Sequence, residues 1–134
     1  MCHIEIQHGK EGMKEKMFNN SVGTTAGCTL RLLLESIPHE KQGIKHGICG
    51  DAWFGSVKTA SEVARCSHEG IFQVKQYHSF YPKAFIEEAL KEAPGGAHIV
   101  LEGTTQCAVP LIAVGYHYSY KTILCTHQEC RTHN

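Results

Sequence analysis

One short segment constrains this chain more than any other: Gly50-Asp51-Ala52-Trp53-Phe54-Gly55-Ser56. The mostly apolar run 44–49 before it reads as a strand. Ser56 reads as a helix N-cap, because Val57, Ala60, Val63 and Ala64 follow at helical spacing. The segment therefore specifies strand, tight turn and helix, with Asp51 at the strand tip. Ligands and metals gather at such strand ends in open α/β sheets, and an exposed acid on a rigid sheet suits a divalent ion. In the plainer reading Asp51 caps the turn, and the residues alone leave both open. Trp53 and Phe54 read as aromatics packed under the following helix.

Alternating α/β layout is expected on both sides of this segment. Residues 11–23 read as a polar loop. Ala26, Leu30, Leu33, Leu34 and Ile37 then give a helix an apolar face that Pro38 ends. A further helix starts at Pro82, with Phe85, Ile86, Ala89, Leu90 and Ala93 on its apolar face and Lys83, Glu87 and Lys91 on the other. Pro94-Gly95-Gly96 stops it. Three β-rich runs follow, at 97–102, 109–118 and 121–124, joined by turn-forming residues. The pattern is α/β: a mixed sheet flanked by helices, with a β meander near the C-terminus.

Composition narrows the function classes. The 134 residues are enough for one core, and 13 basic residues balance 13 acidic ones. No dense Lys/Arg run marks a free-standing nucleic-acid binder. No apolar run approaches the ~20 residues needed to cross a bilayer, and Met1-Cys2-His3-Ile4 does not begin a signal peptide. A soluble, intracellular chain without membrane partners is expected. The seven cysteines are an odd number without a CxxC pair, which reads as free thiols. Cys125, His127, Cys130 and His133 are zinc-ligand types, but their spacing fits no ββα finger, and 125–134 reads as a divergent tail. The remaining histidines are scattered and read as surface or turn residues.

Asp51-Ala52-Trp53-Phe54-Gly55-Ser56 resembles the second-aspartate motif of piggyBac-type transposases. Ile4-Glu5-Ile6-Gln7-His8-Gly9-Lys10 is similar to that family's third core strand. Gly70-Ile71-Phe72-Gln73-Val74-Lys75, the Tyr81-Pro82 pair and Lys121-Thr122-Ile123-Leu124 follow in the family's order. The resemblance covers about residues 3–124. It implies part of a ribonuclease H-like DDE domain in which Asp51 ends the fourth strand and binds Mg²⁺ or Mn²⁺. It further implies DNA transposon ends as partner and, in a eukaryote, the nucleus as location; it specifies no oligomeric state.

The family uses three carboxylates, and only Asp51 matches one of them. The other two belong to a strand before the matched region and a helix after it. Two-metal phosphoryl transfer needs acids on both sides of the metal pair, so the expected product is a transposase-derived fragment inactive alone. A non-catalytic remnant, acting as a protein-interaction or DNA-associated module, is the alternative. Within the chain Glu5 and Glu35 are the acids a sheet could bring toward Asp51. Glu5 alternates with Ile4 and Ile6 and is expected on the solvent side of an edge strand; Glu35 is expected on a polar helix face. Lys75 and Lys58 are candidate DNA contacts, with Arg65 a weaker one.

Overall fold

The computed structural model describes residues 4–75, 78, 80–117 and 121–126. Helices α1 (Lys10–Met13) and α2 (Asn19–Val22) precede α3 (Thr24–Ser36), followed by β1 (Gly47–Gly50) and α4 (Val57–Arg65). Then come β2 (Glu69–Val74), α5 (Lys83–Leu90), β3 (His98–Thr104), β4 (Pro110–Tyr116) and β5 (Lys121–Thr126). One sheet runs β1-β2-β5-β4-β3. β1 and β2 are parallel, which requires a crossover, and α4 supplies it. β3, β4 and β5 form the expected antiparallel meander, whose last strand pairs antiparallel with β2. The molecule is mixed α/β.

The helices pack on one face of the sheet. Register places Phe72 and Ala113 opposite Leu124, and Val74 and Gly115 opposite Thr122, so these positions share a face. Against it lie Ala60, Val63 and Ala64 of α4, and Ile86 and Leu90 of α5, in one buried cluster that Leu30 and Leu33 of α3 complete. A Cβ at residue 115 would run into the Ile86 side chain, so the glycine lets α5 rest on β4.

Several expectations need correction. Residues 4–9 form no strand: Glu5 is held by Arg31 of α3 and by Lys16, between α1 and α2, rather than in the sheet. The stretch 11–23, expected as a polar loop, holds most of α1 and all of α2. β1 lies at the edge of the described sheet, its described pairing being with β2 alone. Phe85, expected inside, is 59% exposed, while Lys83, expected outside, is 8% exposed. α5 turns its 83, 86, 90 stripe inward because the Lys83 Nζ donates to the Lys75 carbonyl and lies 3.7 Å from Glu87. Residues 127–134, which hold most of the Cys/His tail, are outside the described residues; Cys125 falls within β5.

Candidate functional site

Asp51 directly follows β1, as the strand–turn–helix signature requires. Its backbone carbonyl accepts from the Phe54 N–H at 3.1 Å, and its Oδ1 accepts from the Trp53 N–H at 3.0 Å. The carboxylate therefore caps its own turn while remaining at a strand end and exposed. The turn-capping reading of this residue is the one its hydrogen bond shows. Phe54 packs partly buried against the core, as expected. Trp53 stays 54% exposed and meets Phe54 edge-on at 4.8 Å, so only one of the two aromatics lies under the helix.

The turn is fixed at its far end. A Cβ at residue 55 would collide with the Gln73 carbonyl oxygen, so Gly55 lets the turn lie against β2. Ser56 then caps α4, its Oγ accepting from the Thr59 N–H at 3.0 Å. Because β1 and β2 are parallel, their C-terminal ends lie on one side. Asp51 after β1, exposed Lys75 after β2 and exposed Lys58 in the first turn of α4 therefore belong to the same end of the sheet.

The acids considered as partners for Asp51 are engaged elsewhere or stand apart. Glu5 is 7% exposed in its side chain. It accepts from Arg31 Nε at 2.8 Å and Arg31 Nη2 at 2.6 Å, with Lys16 Nζ at 3.3 Å. This corrects the solvent-facing expectation. The Arg31 hydrogen bonds hold the Glu5 carboxyl down to about 2 against the opposing effect of burial. Gln7 reaches the Cys28 thiol at 3.3 Å, and burial foremost pushes that thiol up. Glu35 is exposed on α3. Among the described residues no three His, Cys, Asp or Glu side chains converge to hold a metal. Mg²⁺ needs several oxygens to displace its waters, and a lone carboxylate with one oxygen already capping a turn does not fit a metal pair.

Two features escaped the sequence. His68 is 8% exposed in the α4–β2 turn, and its Nδ1 accepts from the His46 N–H at 3.1 Å. The His46 ring lies 5.8 Å away, and burial, then that ring, push the His68 imidazole down. A groove of about 690 Å³ runs between α4 and the β3–β4 hairpin, with Lys58, Arg65, Phe80, Leu101 and Cys107 along it. Cys28, Cys49, Cys66 and Cys107 are free thiols.

Neither a protein-family model, nor a curated protein, nor a solved structure matches this chain. No described helix is long and apolar enough to cross a membrane.

Proposed function

We propose that this chain is the portion of a piggyBac-type transposase catalytic domain that carries its second aspartate, and that it does not cut DNA by itself. The observation that carries this reading is the place of Asp51 at the end of β1, whose described hydrogen bonding engages one neighbour only. A further strand added at that edge would run about 4.8 Å from β1. An acid at its tip would then stand close enough to Asp51 to share a metal ion, as two-metal transfer needs. That arrangement is the ribonuclease H-like one, in which Mg²⁺ or Mn²⁺ bound between the acids would activate the attacking water and the leaving 3′ oxygen. Lys58 and Lys75, at the same sheet end, are suited to the phosphates of a DNA strand.

The experiment compares Mn²⁺ binding by the 134-residue chain and by a longer protein that restores an upstream acid-bearing strand and a downstream acid-bearing helix. The longer protein binds Mn²⁺ tightly and loses that binding on Asp51→Asn, whereas the short chain binds no better than an ordinary exposed carboxylate. Equal weak binding by both would remove the basis of the proposal.

The groove along α4 favours a second reading, a non-catalytic module that binds protein or DNA. Lys58→Glu with Phe80→Ala would then abolish partner binding while Asp51→Asn leaves it intact.

A further inference from the structure

Trp53, the sole tryptophan of the sequence, is 54% exposed, yet the structure holds it firmly. Its N–H donates to Asp51 Oδ1 at 3.0 Å, and the two residues after it anchor the turn, Phe54 against the core and Gly55 against the Gln73 carbonyl. The ring meets Phe54 edge-on at 4.8 Å, with 87° between the planes. Whichever ring supplies the edge, such a contact leaves at least one face of the indole clear of Phe54.

The surroundings of this ring are ionic rather than apolar. Lys58, in the first turn of α4, and Lys75, after β2, are exposed at the same end of the sheet, and among the described residues neither ammonium has an ion-pair partner. The Gly55 contact seats the turn on β2 two residues before Lys75. Glu62, one turn on from Lys58, is engaged by Arg65 at 3.3 Å. From residue 45 to residue 70 no other large hydrophobic side chain is exposed. An aromatic anchor for a protein partner would sit among apolar neighbours; this one sits among cations.

We propose that Trp53 is a stacking platform for one unpaired base of a single-stranded polynucleotide, with Lys58 and Lys75 contacting the phosphates around that base. In a duplex both faces of each base are covered by its neighbours, so an unpaired base is what offers a face to the indole. An aromatic face and cations along the backbone are the two components of single-strand binding, which tolerates any sequence because every base has a π face. Two phosphate contacts give a modest salt dependence, a log–log slope of about −1.4. The inference extends the transposase reading, on which it rests for DNA as the polymer; the stacking itself needs no metal and no acid from outside the chain.

The test uses the 134-residue chain and its own fluorescence, since tryptophan emission reports Trp53 alone. Short oligothymidylate and oligouridylate are titrated beside a DNA duplex of the same length. Saturable quenching by a single strand is expected, with the duplex bound at least about tenfold more weakly, and the tighter of the two single strands identifies the polymer. In anisotropy with a labelled strand, Trp53→Ala weakens binding about tenfold, and Trp53→Phe, which keeps an aromatic face, restores most of it. Lys58→Gln with Lys75→Gln flattens the salt slope, while Phe85→Ala, at an exposed aromatic of α5, changes nothing. Should Trp53→Ala fail to fold, quenching of the unaltered protein decides. No saturable quenching, a duplex that quenches as strongly as either single strand, or binding indifferent to Trp53→Ala would each overturn the proposal. Absent quenching beside tight Mn²⁺ binding by the longer protein sinks the platform and leaves the transposase reading standing; quenching without that Mn²⁺ binding does the reverse.

Discussion

Arg31 and Glu5 stand 26 residues apart, yet form the most buried charged pair described in the molecule. Removing one partner strands the other, which typically costs about 3–5 kcal/mol. Arg31→Met should therefore destabilise strongly, whereas Arg31→Met with Glu5→Leu should recover much of the loss; urea unfolding of both variants checks this. The pair also sets an acid limb. The Glu5 carboxyl lies at about 2 folded against 4.5 ordinarily, so its contribution is fully present above pH 4.5 and is lost as pH falls toward 2. The linked free energy is on the order of 3 kcal/mol, and Glu5→Gln should flatten that limb. His68 acts in a higher window. Its folded pKa lies below the ordinary 6.5, so stability is complete above pH 6.5 and declines as pH falls below it. A protonated His68 would turn an N–H toward the His46 N–H it now accepts. His68→Asn, which offers an oxygen that does not titrate, should remove this decline from the melting temperature measured between pH 7.5 and 5.

At the scale of elements, α4 depends on two residues at its start. Ser56→Ala should cost about 1 kcal/mol through loss of the cap. Gly55→Ala should cost clearly more, since its Cβ meets the Gln73 carbonyl and the whole turn must move; thermal unfolding ranks the two. The start of α4 was legible because a cap and a helical apolar stripe are local signals, and so was the acid at the strand tip. The meander was legible from its turns. What was not legible depends on partners remote in sequence. The β1 run looks like any short buried strand, and nothing local says that β5, not another strand, would take the inner side of β2. Glu5 alternates with isoleucines as an edge strand would, and only the placement of Arg31 on α3 turns it inward. Lys83 has the periodicity of a solvated residue until the Lys75 carbonyl reaches it. His46 and His68 meet only because β1 and β2 lie side by side.

For the whole molecule, topology gathers the acid and the lysines at one end of the sheet. The single-sided core holds the fold, and the parallel β1–α4–β2 unit positions Asp51, Lys58 and Lys75. What the described residues do not supply is a group of three His, Cys, Asp or Glu side chains able to hold a metal. We propose completion from outside: Asp51 would be one ligand of a metal pair whose other acids lie beyond the matched region. The most direct measurement is Mn²⁺-dependent nicking of DNA bearing piggyBac-type transposon ends. It would be run with the 134-residue chain and with a longer protein restoring the acid-bearing strand and helix, each with and without Asp51→Asn. Nicking by the longer protein alone, abolished by Asp51→Asn with folding intact, is the predicted result. Metal-dependent nicking by the 134-residue chain itself, lost on Asp51→Asn, would contradict the account.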